Sequence, residues 1–530
     1  CWRCKHPIIY RATEQWFCSV DAIKDAAVKS CDGISWHPAW GKERMISMIS
    51  ERNDWCISRQ RVWGVPIPIF YSDECGADIV TPETIANVAA LFREHGSNVW
   101  FEKSAQELLP EGFVCPKCGK AHFHKETDIM DVWFDSGSTW AAVADERDYL
   151  KYPADVYLEG GDQYRGWFQS SMLTSIAVNG VAPYKQIITH GWTVDGEGKV
   201  MHKSLGNAVS PDDVLKEYGA DILRLWVASA EYTQDMRISP EILKQLSQAY
   251  LKIRNTARFM MGNLDGFDPD THALPYAELE NLDKYALHSF NELVKTVIDA
   301  YDRYEFHMVY RALYNFCVVD MSNFYLDILK DRLYCGDEKA RRAAQTTLYT
   351  ILSGMTRLMA PILAFTSDEI WAAMPHAKVD DAESVVLNDM PRFDAALTLG
   401  AAKLECWEKL ISLRDAVNKA LENARSAGVF KKAQDTIVEI TLADQATADE
   451  LAGETDLMAL CIVSGVKLTV APDGKGNGEQ AQDCLVPCSI DVKLSEDPKC
   501  PRCWNHDAGI GADAGHPELC PRCAKVVKNG

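Results

Sequence analysis

Two copies of Cys-Pro-Arg-Cys, Cys500 to Cys503 and Cys520 to Cys523, stand sixteen residues apart near the end of the chain. No other feature narrows so far what this stretch can fold into. A proline-bearing turn aims two thiols at one point, and two such turns at this spacing match a zinc ribbon, which makes Cys500, Cys503, Cys520 and Cys523 the expected ligands of one zinc ion. The tail is too short to build an apolar core, so the metal would supply its folding energy. Arg502, Trp504, Arg522 and Lys525 add a basic, partly aromatic face of a kind suited to RNA.

The remaining cysteines, out of 18 in 530 residues, are CxxC pairs or scattered singles, which points to metal sites and reduced thiols and away from a disulfide framework. No apolar run reaches membrane-spanning length, and the opening residues resemble neither a signal nor a transit peptide. A cytoplasmic, membrane-free protein is expected. The net charge of -21 excludes a general nucleic-acid binder but permits a local basic track. A chain of this length needs two to four domains. It begins inside a Cys1-x-x-Cys4 pair, without methionine, as a fragment lacking its N-terminal part would.

Residues 190–213, HGWTVDGEGKVMHKSLGNAVSPDD, follow an apolar strand ending and precede a helix start, with Ser210 as cap and Pro211 at the first position. Asp195 to Gly198 reads as a turn. Such a loop can carry Lys199, Lys203 and Ser204 onto a polyphosphate and offset the charge that develops there. Earlier, residues 131–137 (DVWFDSG) and 157–167 (YLEGGDQYRGW) bring an apolar strand to a polar, glycine-bearing end. Ligands of open parallel sheets bind at the carboxyl ends of strands, so Glu159, Asp162 and Gln163 are candidates to hold a nucleotide or amino acid, with Gly160 and Gly161 permitting close backbone approach. Cys115 and Cys118 form a zinc knuckle, but its partner holds Ser72 and Cys75. The residues leave open whether that insertion carries metal.

From Asp212 to about Pro240, and again over Tyr250 to Phe267 and Leu282 to about Met374, apolar residues recur at helical spacing, which predicts a bundle. A helix from Lys403 and two alternating strands, 436–442 and 466–470, predict a small α/β module.

The VMHKSLGN string resembles the KMSKS loop of class I aminoacyl-tRNA synthetases, with Val200 and Lys199 exchanged around the first lysine position and His202 at the first serine. DWCISRQRVWGVPIP at 54–68 resembles a segment shared by the isoleucine, valine and leucine enzymes. The DVWFDSG and YLEGGDQYRGW segments and the terminal four-cysteine module resemble bacterial-type isoleucyl-tRNA synthetases. That resemblance implies an α/β fold, the second half of a class I Rossmann-type catalytic domain, over 1–235 with a cysteine-containing insertion near 70–127. An α-helical anticodon-binding domain over 236–395, a small α/β module over 396–485 and a zinc-binding, tRNA-contacting module over 486–530 follow.

It also implies the reaction: isoleucine is activated with ATP, with Mg2+ as companion ion, and then transferred to tRNA(Ile) by a monomeric ligase. Lys203, aided by Lys199 and Ser204, would bind the ATP phosphates. Glu159, Gly160, Asp162 and Gln163 would hold the adenylate, and Trp133 and Trp167 would wall the isoleucine pocket. No HxGH string occurs, and the family's first ATP motif and editing domain would lie ahead of Cys1. A fragment of this kind would be inactive alone. Two other readings stand beside this one: a non-catalytic tRNA- or RNA-binding protein, and a valyl or leucyl ligase.

Overall fold

The computed structural model describes residues 1, 4–201 and 206–529. They divide into two compact units, one of Cys1–Trp192 with Thr233–Asp235, the other of Thr193–Tyr232 with Met236–Gly530. Compactness thus groups residues 193–232 with the helical part of the chain, whereas the sequence pattern changes near 235.

In the first unit Gln186–His190 is the middle strand of a three-stranded parallel sheet, between Ser35–His37 and Tyr157–Gly160. Ile187 and Ile188 are both buried, as expected of a strand covered on both faces. Parallel neighbours need a crossover, supplied between Tyr157–Gly160 and Gln186–His190 by the helix Trp167–Asn179, whose residues Phe168 to Ile176 are all buried. Trp36, Tyr164, Phe168, Met172, Tyr184 and Ile187 form the core around it. All three strands end on one edge, at His37, Gly160 and His190.

The insertion is a separate small sheet, ordered Asp78–Ile79, Phe70–Ser72, Phe123–Lys125. It packs over its own core of Phe70, Trp100, Leu108 and Phe123.

The second unit contains the expected helices, among them Pro240–Gly262, Asn281–Asp302 and Glu338–Met359. Residues 306–335 run as one helical stretch, α over Phe306–Asn315, π over Phe316–Tyr325 and α again over Leu326–Cys335. A Cβ on Gly354 would lie 2.4 Å from the Phe290 ring, so glycine is what lets Glu338–Met359 approach Asn281–Asp302. Inside the bundle the fully buried Asp283 receives both Arg332 terminal nitrogens, at 2.9 and 2.8 Å, and the Tyr325 hydroxyl at 2.7 Å. Removing one member of such a pair leaves a buried charge uncompensated, at about 3–5 kcal/mol.

The α/β module is a four-stranded sheet ordered Gly465–Val470, Thr436–Leu442, Cys488–Leu494, Glu479–Gln480, with Gly465–Val470 parallel to Thr436–Leu442. Cys488–Leu494 falls in the stretch 486–530 assigned by sequence to the zinc module. It instead pairs antiparallel along the whole of Thr436–Leu442. Its apolar alternation is only Cys488, Ile490 and Val492, with Asp491 and Lys493 on the other face, too short to announce a strand without its partner. Trp407, Leu410 and Leu413 of the helix Ala401–Ser426 join this sheet's core to that of the bundle. No helix among the described residues is long and apolar enough to cross a membrane.

Candidate active site and zinc module

The polar edge of the first unit is built from the strand end and the turn after it. Glu159 lies opposite Thr189, and Gly160 opposite His190, in the parallel register. A Cβ on Gly160 would stand 2.8 Å from Asp162 Oδ1 and 3.5 Å from the His190 ring, so the missing side chain is what lets these groups converge. Gly161 has room for a Cβ, whose nearest neighbour would be Thr189 at 3.8 Å. The tighter glycine is Gly166, where a Cβ would meet Gln163 Oε1 at 2.4 Å and Trp133 at 3.0 Å.

Gln163 Oε1 accepts the Trp167 backbone N–H at 2.8 Å, and its amide donates to Asp162 at 3.0 Å. Gln163 therefore caps the helix Trp167–Asn179 and stands over Gly166 beside the Trp133 ring. Trp167 is fixed by stacking on Tyr157, centroids 4.0 Å apart and planes 7° from parallel, and by donating its indole N–H to Ser136 O at 2.9 Å. Trp133 is 42% exposed. The Trp133 ring and the Gln163 side chain come together over Gly166, with the Trp167 backbone N–H and Asp162 adjoining through Gln163, while Glu159 is half-buried at the strand end. Gly166 and His190 were missed as site residues, although Gly166 stands in the quoted YRGW string. His190 Nδ1 lies 2.8 Å from Gly191 O, which makes that nitrogen the donor.

Asp131 explains the segment at 54–68. Its carboxylate accepts the Trp55 indole N–H at 2.9 Å, pairs with Arg59 at 3.1 Å, and receives the Trp133 backbone N–H at 3.4 Å. One buried acid thus ties Trp55 and Arg59 to the helix Val132–Gly137 that carries Trp133. Burial, reinforced by Asp131, holds Asp135 above the ordinary carboxylate range.

The lysine loop belongs to the second unit. Asp195 organises its base: its side chain accepts the Glu197 and Lys199 N–H groups at 3.0 and 2.9 Å and the Asn207 amide at 2.8 Å, while Gly198 turns the chain at φ +86. The Asn207 amide and then the Lys199 N–H keep the Asp195 carboxyl below its usual range. Lys199 is exposed and pairs with Glu197 at 2.7 Å, which raises its pKa. The expected helix begins at Pro211, after Ser210. Lys203 and Ser204 lie outside the described residues.

The four terminal cysteines are buried, and their sulfurs all lie within 4.8 Å of one another. Cys503 and Cys520 Sγ are 3.8 Å apart, far beyond a disulfide and equal to the edge of about 3.8 Å in a tetrahedron of zinc–sulfur bonds. Burial pushes the Cys500 thiol up, but the backbone N–H groups of Cys503, Cys520 and Arg502 outweigh it and bring the thiol down to about 6. Cys503 and Cys520 are pushed up, chiefly by burial. An all-sulfur, buried set in which the thiols hinder one another's ionisation fits zinc, which these four residues would hold as a folding cross-link.

Trp504, 56% exposed with φ +66, leaves the first knuckle with Lys432 Nζ 5.3 Å from its ring. A groove of about 1030 Å³ opens beside it, lined among others by Lys330, Arg414, Arg425 and Asn505. Two arginines expected on this RNA-type face are engaged within the protein: Arg502 donates to Cys335 O at 2.7 Å, and Arg522 forms a two-pronged pair with Asp331. Trp504 and Lys525 remain exposed.

In the insertion, Cys75 and Cys115 sulfurs are 3.8 Å apart, and Cys118 Sγ lies 3.5 Å from Ser72 Oγ. Ser72 thus occupies the fourth corner that a cysteine would fill, beside three clustered thiols.

A family model described as tRNA synthetases class I (I, L, M and V) matches residues 4–239. The anticodon-binding domain of tRNA ligase matches residues 283–440, and a zinc finger found in FPG and IleRS matches residues 497–526. The isoleucine–tRNA ligase of Caldanaerobacter subterraneus subsp. tengcongensis is 52% identical over 534 residues, covering 100% of this chain and 56% of that protein. That of Caldicellulosiruptor bescii is 48% identical over 531 residues, with the same coverage. The chain therefore spans little more than half the length of these curated relatives. Among solved structures, the Agrobacterium radiobacter K84 agnB2 LeuRS–tRNA–LeuAMS complex is similar in fold, with TM-score 0.50, 19% identity, and 79% of this chain and 51% of that chain covered. Mycobacterium tuberculosis methionyl-tRNA synthetase with methionyl-adenylate is similar at TM-score 0.50 and 19% identity, covering 70% and 64%.

Proposed function

The chain belongs to the class I tRNA synthetase family, and from that premise we propose that the protein carrying it is an isoleucine–tRNA ligase. Activation joins the isoleucine carboxylate to the α-phosphorus of ATP and breaks the bond to pyrophosphate. The adenylate is then attacked by a terminal ribose hydroxyl of tRNA(Ile), releasing AMP. ATP enters with Mg2+, and the enzyme works as a cytoplasmic monomer. Residues 1–235 supply the catalytic part with its insertion, 236–395 the anticodon-binding helices, 396–485 the α/β module and 486–530 the zinc module.

One observation carries the reading: the Trp133 ring and the Gln163 side chain meet over Gly166, and Gln163 caps the helix that begins at Trp167, at the polar edge of a parallel sheet. Two indoles can wall a branched aliphatic side chain, while Glu159, Asp162 and the Gln163 amide present polar atoms to the ammonium and ribose of the adenylate. Gly160 leaves the backbone open to the same ligand. Lys203, with Lys199 and Ser204, supplies charge and hydrogen bonds to the departing phosphates. Trp504 and Lys432 beside the groove support tRNA contact, because an exposed indole offers a stacking platform for a base.

In the full-length protein Trp133→Ala should raise the KM for isoleucine roughly 10- to 100-fold, the equivalent of losing about 1.5–3 kcal/mol of aromatic burial. The KM for ATP should stay within about twofold. Steady-state pyrophosphate exchange reads both constants, and an unchanged isoleucine KM would remove Trp133 from the pocket.

A further inference from the structure

Each terminal knuckle carries an arginine between its cysteines, and both are engaged within the protein: Arg502 is half-buried, and Arg522, although 42% exposed, is held by an ion pair. Arg502 Nη1 donates to Cys335 O at 2.7 Å and to Cys523 Sγ, in the opposite knuckle, at 3.5 Å. Arg522, in the other knuckle, holds Asp331 with both terminal nitrogens. The contact is reciprocated, since Cys335 Sγ points at Arg502 O at 3.4 Å. Asp331 and Cys335 lie on the last turn of the helix Leu326–Cys335, where helix carbonyls lack intrahelical donors. Cys335 packs in one buried cluster with the four zinc-type cysteines.

Charge accounts for the arrangement. Four thiolates around a divalent zinc sum to −2, and a buried charge of that size needs compensation. Two guanidiniums, which keep their protons at any physiological pH, oppose it, and with Asp331 paired to Arg522 the sum falls from −2 to −1. Arginine meets the geometry because its fork can engage a sulfur and an oxygen together.

We propose that Arg502 and Arg522 are positioning residues of the zinc centre: Arg502 offsets the charge of a thiolate of the opposite knuckle, Arg522 adds a second positive charge beside the cysteines, and both clamp the module to the end of the helix Leu326–Cys335. Neither touches the metal. Outer partners of metal ligands set how tightly the ion is kept, so zinc retention in this module depends on its seat on that helix. The proposal rests on the four-cysteine zinc reading and goes beyond it.

The test is zinc release from the full-length protein into excess of a metallochromic chelator, with zinc content measured beforehand. Arg502→Ala/Arg522→Ala should release the terminal zinc about 10- to 100-fold faster than the wild type. Arg502→Lys/Arg522→Lys, which keeps both charges, should recover most of that loss. Where the double alanine variant fails to fold by circular dichroism, Arg502→Ala alone carries the test with an expected acceleration of at least threefold. Release within twofold of wild type in the alanine variants overturns the proposal. Equal acceleration in alanine and lysine variants also overturns it, because packing and not charge would then hold the ion. If wild-type protein binds no zinc, or keeps its full zinc content after Cys520→Ser, the four-cysteine reading fails before the arginines are at issue.

Discussion

Lys203→Ala in the full-length protein lowers the rate of isoleucyl-adenylate formation by roughly two to three powers of ten, about 2.7–4 kcal/mol of lost transition-state stabilisation. The KM for isoleucine should change little, because the lost charge acts on phosphate oxygens as pyrophosphate departs and not on the amino acid. Lys203 lies outside the described residues, so the expectation rests on its place in the loop and on the loop's base. Asp195 collects three donors there, one of them the Asn207 amide, and so ties residues 195–199 to residue 207. Lys199 is a poor substitute, since Glu197 already pairs with it at 2.7 Å. Pre-steady-state adenylate formation measures the effect; a rate within about threefold of wild type would transfer the role to another group.

Cys520→Ser removes one of four buried sulfurs and should abolish tight zinc binding at the terminal module. Structural zinc of this kind contributes on the order of 10–16 kcal/mol to the folding of the segment that holds it. Little else is available here: the module's buried apolar partners are essentially Leu519, Ala524 and the cysteines themselves. Without the ion, Trp504 loses the knuckle that sets its backbone at positive φ, and Arg522 loses its place opposite Asp331. Charging of tRNA should fall by more than tenfold while isoleucine activation stays near normal. Zinc analysis and the two assays in parallel decide it. Equal losses in activation and charging would mean that the module supports the fold as a whole, and undiminished charging would remove it from tRNA contact.

What could be read from the sequence was whatever is encoded within a few residues. The two knuckles needed only their spacing, because zinc fixes ligand distances over one turn. The helix at Pro211 was announced by Ser210 and Pro211, and the buried strand by Ile187 and Ile188. Contacts made over long sequence separations were not legible. Asp131 gathers Trp55 and Arg59 from more than seventy residues away, and nothing local in either segment names the other. The strand Cys488–Leu494 exists by virtue of its pairing with Thr436–Leu442. Arg502 and Arg522 look like a basic RNA face when read along the chain. Only the helix ending at Cys335, more than 160 residues earlier, engages them, through the Cys335 carbonyl and Asp331. At the crevice, residue types were legible but roles were not: Gln163 was expected to serve a ligand, and it also caps the helix behind the pocket.

The central claim, that this chain belongs to an enzyme which activates isoleucine, is tested most directly by amino-acid-dependent exchange of pyrophosphate into ATP. The full-length protein, freed of host synthetases, is supplied in turn with isoleucine, valine, leucine and methionine. The account predicts exchange with isoleucine at the highest kcat/KM of the four. Exchange fastest with valine, leucine or methionine, or none with any amino acid from a folded, zinc-loaded protein that still binds tRNA, would contradict it.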